Sequence, residues 1–201
     1  MLYSSFQQCS TFGVFRVRII AGERKGMTLK SVPGDSTRPT SDKVKQAIFN
    51  MIGPYFNGEL GLDLYAGSGS LGIEALSRGL SKVIFVDQDL KAVQTIKRNL
   101  NEVQYSEKAE VYRTKAIQAL KALKKRELQF SYIFLDPPYN KKSIEKEIET
   151  LLTFNLLHNS GQLIVEHSRK LELPNTILHV CKQKGESYGN TMISIYGYEE
   201  S

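Results

Sequence analysis

The chain has 201 residues, 41% hydrophobic and 24% charged, with 15 Gly and 6 Pro, a composition that excludes a disordered, collagen-like or low-complexity protein. No apolar run approaches the roughly 18 residues of a membrane span, and Cys9 and Cys181 with three scattered histidines make neither a disulfide framework nor a metal cluster. The net charge of +6 is unevenly placed: residues 1–45 carry eight bases (Arg16, Arg18, Arg24, Lys25, Lys30, Arg38, Lys43, Lys45) against three acids (Glu23, Asp35, Asp42). A positive end on a near-neutral body suits a polyanion, and a solvated basic face reads equally well. A reduced, cytoplasmic protein without a metal is expected.

Residues 1–16 lack a positive n-region, and Gln7, Gln8 and Ser10 break their apolar stretch. They are expected to be a disordered leader or a start assigned upstream of the domain, not a secretion signal. Phe15–Ile19 and Met27–Val32 alternate apolar and polar around the Gly22–Gly26 turn, which predicts a β-hairpin over 15–32. Val44, Ala47, Ile48, Met51 and Ile52 then mark one face of a helix that Gly53-Pro54 stops. Beyond it short apolar runs alternate with amphipathic stretches: strands at Leu60–Tyr65, Val83–Asp87, Glu110–Arg113, Tyr132–Asp136 and Leu163–Val165, with helices between them. Ile177–Cys181 and Met192–Tyr198 are expected to close the sheet as an antiparallel pair joined through Gly185–Asn190. This pattern predicts one α/β domain over 17–201: a hairpin-helix extension (17–53) and a mostly parallel sheet covered on both faces (58–201).

Gly67, Gly69 and Gly72 satisfy G-x-G-x-x-G between the first core strand and its helix, with Asp87 twenty residues after Gly67 at the next strand's end. That is a nucleoside-binding pattern: glycines admit the ligand against backbone and the acid accepts ribose hydroxyls. By itself it is weak, since a tight turn has the same signature. Asp63, four residues before Gly67, shifts the balance, because a dinucleotide phosphate over the helix N-terminus would not tolerate a carboxylate there. S-adenosylmethionine, with its sulfonium and ammonium groups, suits it. A buried capping Asp is the plainer alternative.

Asp136-Pro137-Pro138-Tyr139 follows a buried strand at the same sheet edge. Two prolines stiffen the turn. Its carboxylate and the Pro137 carbonyl can each accept one N–H of a planar exocyclic amine, and Tyr139 can stack on a base. A proline turn that merely ends a strand is the bland reading. Guanine, with N1–H beside its N2 amine, offers two donors to one carboxylate. Lys141 and Lys142 directly follow and are candidate RNA contacts. His158, His167 and His179 have no step that needs them.

The Asp63-Leu64-Tyr65-Ala66-Gly67-Ser68-Gly69 turn and the later Asp136–Tyr139 tetrapeptide resemble those of S-adenosylmethionine-dependent amino-group methyltransferases. With Arg18–Gly22, Thr37–Val44 and Leu163–Glu166, the chain from about residue 17 onward resembles the bacterial guanine-N2 methyltransferases of 16S ribosomal RNA. The resemblance implies a Rossmann-like class I methyltransferase fold with a seven-stranded sheet and a monomer acting on 16S rRNA or a small-subunit assembly particle. It implies cofactor contacts from Asp63, Tyr65, Ala66, Gly67, Ser68 and Gly69, with Asp87 and Gln88 on the ribose side. It further implies a base site at Asp136, Pro137, Pro138 and Tyr139, and RNA contacts from Arg16, Arg18, Arg24, Lys25, Arg38 and Lys43. Lys115 departs from the pattern, which usually has Asp or Asn facing the adenine amine there. Either backbone at Ala116 serves instead, or the register shifts by one. A DNA adenine-N6 methyltransferase and a non-catalytic RNA-binding protein on the same fold stay open as alternatives.

Overall fold

The computed structural model describes residues 17–34, 41–137 and 141–199, with backbone alone for Lys141 and Lys142. Arg16, Arg38, Pro138 and Tyr139 therefore lie outside the described residues. The chain opens with β1 (Val17–Arg18) and β2 (Thr28–Leu29), a short antiparallel pair in the register Val17↔Leu29. The predicted hairpin exists, with fewer paired residues than the alternation suggested. Helix α1 (Asp42–Ile52) starts at Ser41, whose extended backbone lets its hydroxyl accept the Val44 N–H at 3.3 Å. Gly53, at φ 116°, ends it.

The core follows the alternation: β3 (Leu60–Asp63), α2 (Ser70–Ser77), β4 (Lys82–Asp87), α3 (Leu90–Glu102), β5 (Ala109–Arg113), α4 (Ala116–Lys125), β6 (Phe130–Leu135) and α5 (Lys141–Thr153). Then come β7 (Leu157–Ser168), β8 (Thr176–Ile177), β9 (Val180–Tyr188) and β10 (Thr191–Tyr198). The sheet order is β5-β4-β3-β6-β7-β10-β9-β8, parallel from β5 to β7 and antiparallel from there on. Eight strands are described where seven were expected. The addition is β8, two residues that pair with the start of β9 across Leu178-His179.

Successive strand residues go to opposite faces, as the pleat requires. Val83, Phe85, Phe134 and Ile164 pack with α1, α2, α3 and the hairpin, while Ile84, Val86, Ile133, Leu135 and Val165 pack with α4 and α5. Burial on both faces explains why these strands read as unbroken apolar runs. Two boundaries differ from the sequence reading. The β9–β10 connection is Gly189-Asn190, and Gly185 lies inside β9 opposite Ser194. Strand β7 begins six residues before Leu163, because the polar His158-Asn159-Ser160 stretch is also extended. No helix among the described residues is long and apolar enough to cross a membrane.

Candidate active site

Register brings three acids to one edge of the sheet. Asp63 pairs with Phe85 on one side and Phe134 on the other, so Asp87 and Asp136 each lie two residues beyond an Asp63 partner. Asp63 is buried, and its Oδ2 accepts the Gly72 N–H at 3.0 Å in the first turn of α2. Burial, opposed by that hydrogen bond and reinforced by Asp136 and Asp87, pushes its pKa up to about 7. Asp136, half-buried at the end of β6, is pushed up to about 6 by burial. This end of the sheet is thus acidic, and it would gain most from a cationic ligand.

The turn between β3 and α2 is shaped by left-handed glycines: Gly67 at φ 52° and Gly69 at φ 79°. A Cβ on Gly67 would meet nothing within 4 Å, so the turn leaves open space there for a ligand. Gly72 serves packing instead, since a Cβ would sit 2.3 Å from the Phe85 ring. Asp87 fixes the turn through Oδ2, which accepts the Gly67 N–H at 2.9 Å, while its Oδ1 accepts the Asp89 N–H at 2.9 Å. Each oxygen keeps a second lone pair for a ribose hydroxyl. Asp63 likewise keeps Oδ1 outside its one hydrogen bond among the described residues. An acidic strand end beside a glycine turn that is open at Gly67 fits a nucleoside bearing a cationic tail.

The remaining cofactor candidates distribute as follows. Ala66 is buried, and its N–H is held by Val86 O at 3.0 Å. Ser68 is half-buried within the turn, and Gln88 is exposed beside Asp87. Tyr65 donates its hydroxyl to Glu147 Oε1 on α5, and burial together with Glu147 holds the phenol well above its ordinary range. Glu147 itself is raised by burial, and its Oε2 is buried without a partner among the described residues. Lys115 is exposed at the N-cap of α4 and Ala116 is buried behind it. The Thr114 N–H donates to Asp87 O at 3.0 Å, which brings this junction alongside Asp87.

The basic candidates do not form one patch. Arg18 pairs with Asp42 at 2.7 Å, and Lys43 is exposed on the first turn of α1. Arg24 is an anchor: Nε donates to Val103 O at 3.1 Å and its guanidinium lies 5.5 Å from the Tyr105 ring centroid. Arg24 and exposed Lys25 belong to a hairpin turn bonded to Ser77, at the far end of α2 from the glycine turn. That separation is about 12 Å at 1.5 Å per residue. Lys141 and Lys142 open α5, four and five residues after Pro137. Pro137 itself is buried.

Sequence reasoning missed a buried cluster beneath the turn. Lys45, counted above with the positive end, is fully buried; its Nζ donates to Arg18 O and to Ser70 Oγ at 3.1 Å and lies 3.5 Å from Glu74. Glu74 accepts the Ile20 and Ala21 N–H groups at 2.7 and 2.9 Å and Arg78 Nε at 2.8 Å. Asn99, also fully buried, was missed too, although its place one residue before Leu100 on an apolar helix face was a readable signal. Among the described residues no group of three or more His, Cys, Asp or Glu could hold a metal ion.

Sheet order, glycine turn and strand-end acids together define a Rossmann-like α/β methyltransferase fold. Residues 17–197 match the model of the family described as conserved hypothetical protein 95, and the chain belongs to that family. It is 51% identical over 180 residues to YlbH of Bacillus subtilis, a protein named provisionally as an rRNA methyltransferase, covering 90% of this chain and 98% of that one. Ribosomal RNA small subunit methyltransferase D of Haemophilus influenzae is 39% identical over 151 residues, 75% of this chain and 78% of that protein. The solved structure of yhhF from Escherichia coli, titled provisionally a methyltransferase, matches with a TM-score of 0.77 at 28% identity, over 92% of this chain and 99% of that one.

Proposed function

We propose that the protein transfers a methyl group from S-adenosylmethionine to the exocyclic N2 amine of a guanosine in 16S ribosomal RNA. It is an S-adenosylmethionine-dependent rRNA methyltransferase. The observation that carries it is the convergence of Asp63, Asp87 and Asp136 around the open Gly67–Gly69 turn. The relatives named as rRNA methyltransferases support the substrate class.

When bound, the cofactor supplies a methyl group on a sulfonium centre. Asp63, with Oδ1 left over, would hold the cofactor's ammonium group, and Asp87 would accept from the ribose hydroxyls without releasing Gly67. Lys115-Ala116 would border the adenine. Asp136, its carboxyl pushed up to about 6 by burial, accepts an N–H of the target base, and the Pro137 carbonyl accepts another. Tyr139 stacks on that base. These contacts turn the amine lone pair toward the methyl group, so positioning and electrostatics do the catalysis. The surplus amine proton leaves to water. Lys25, Lys43, Arg18, Lys141 and Lys142 carry the RNA backbone in this reading, and the protein acts as a cytoplasmic monomer.

Asp136→Ala tests the division of labour. The variant is expected to bind S-adenosylhomocysteine within about threefold of wild type while transfer to small-subunit particles falls by about a hundredfold or more, the scale of losing a preorganised electrostatic contact. Transfer at a wild-type rate, or loss of cofactor binding, would overturn the assignment.

A further inference from the structure

The glycine turn is not held by its own strand and helix alone. Its Ser68–Gly69 peptide donates N–H to Ala66 O at 2.6 Å, and its carbonyl accepts from Asn99 Nδ2 at 2.9 Å. The same Nδ2 donates to Lys30 O at 3.0 Å, and Asn99 Oδ1 accepts the Lys30 N–H at 2.8 Å. One buried amide thus uses both of its donor hydrogens and its acceptor to join the segment after β2 to the cofactor turn. Glycine at 67 and 69, both left-handed, leaves the turn with little intrinsic preference for this conformation. A second tie runs in parallel, from Arg18 O through Lys45 Nζ to Ser70 Oγ at the start of α2.

We propose that Asn99 is a positioning residue for the cofactor: it fixes the Ser68–Gly69 peptide and makes the binding-competent turn conditional on docking of residues 17–34. The consequence is reciprocal. A ligand that requires the ordered turn must tighten the hairpin, and a loosened hairpin must weaken the ligand by the same factor. The basic N-terminal extension is then part of the cofactor site as well as an RNA surface. This rests on the cofactor assignment and is independent of which base is methylated.

The test is backbone amide exchange with and without S-adenosylhomocysteine, followed by titration of two variants. At ligand one hundred times above Kd, exchange of the Lys30 amide in the wild type is expected to slow by tenfold or more, under a linkage ceiling of about a hundredfold. The Lys182 amide, bonded to Asn175 O at 2.7 Å on the far edge of the sheet, is the control and stays unchanged. Asn99→Ala, and the near-isosteric Asn99→Asp that lacks the donor to Ser68 O, are each expected to bind the ligand about tenfold more weakly, the effect of losing one ordering hydrogen bond. In both variants ligand-induced protection at Lys30 is expected to fall to about threefold or less, the remainder carried by the parallel Lys45 tie. Lys30 exchange unmoved by bound ligand in the wild type would overturn the proposal even if neither variant folds. So would variants that bind within twofold of wild type. A wild type that fails to bind the ligand would overturn the cofactor assignment first, and this inference with it.

Discussion

Replacing Asp63 by Asn separates the charge of the site from its shape. The amide oxygen can still accept the Gly72 N–H, so the start of α2 keeps its contact. What disappears is a buried carboxylate whose pKa stands near 7 instead of 3.8. Below pH 3.8 that group is protonated in both folded and unfolded chains and contributes no penalty. Between 3.8 and 7 the unfolded chain ionises first, so stability falls as pH rises, and above about 7 the loss is complete. At 1.36 kcal/mol per unit the full loss is about 4 kcal/mol. Relaxation and water penetration around the carboxylate reduce the expected gain from Asn to about 1–3 kcal/mol. For a chain of this length that is a rise of about 3–8 °C in Tm at pH 8, shrinking toward pH 5. The liganded protein behaves oppositely. Without the charge-assisted bond to the ammonium group, S-adenosylhomocysteine is expected to bind about 10–100-fold more weakly. Thermal melts at pH 5 and pH 8, with titration calorimetry at pH 8, measure both effects. An unliganded Tm that is unchanged or lower at pH 8, or an unaltered ligand affinity, would refute the reasoning.

Wild-type affinity for the same ligand is expected to weaken by up to about tenfold from pH 8 to pH 6, because binding then requires Asp63 to release its proton; calorimetry across that range checks it, and a flat profile contradicts it. Lys45→Met retains chain length but removes the ammonium that ties Arg18 O, Ser70 Oγ and Glu74, and is expected to cost about 3 kcal/mol, read as a lower denaturation midpoint. Lys25→Glu with Lys43→Glu changes two exposed cations without disturbing the Arg24 anchor. It is expected to lower RNA affinity and flatten its salt dependence while leaving ligand affinity intact; unchanged RNA binding in filter or mobility assays would move the RNA surface elsewhere.

Much of the architecture was legible because β3, β4, β6 and the middle of β7 bury both faces, so their sequences are apolar runs that helices visibly separate. The acids were legible for a related reason: a carboxylate ending an apolar run lies at the sheet edge where ligands bind. Boundaries failed where local chemistry misleads. Gly185 reads as a turn but fits inside β9, where the true reversal uses left-handed Gly189. Asp63 shows why neither reading of a strand-end acid excluded the other: one oxygen caps the helix and the second remains for a ligand. The Lys45–Glu74–Arg78 cluster was not legible, since its members come from α1, α2 and the cap of α2, and most of its other partners are backbone atoms, of Arg18, Ile20, Ala21 and Pro54. Lys45 counts as surface charge until α1 is seen lying against α2. Arg24 likewise counted as a free cation, and only the docking of the hairpin shows its guanidinium bonded to Val103 O and set over the Tyr105 ring.

The measurement that bears most directly on the central claim is identification of the methylated nucleoside. Labelled S-adenosylmethionine would be incubated with the protein and unmethylated small-subunit particles, naked 16S rRNA or DNA, and the product digested to nucleosides. The account predicts label as N2-methylguanosine in the RNA. Label only as N6-methyladenine in DNA, or no transfer to any of the three, would contradict it.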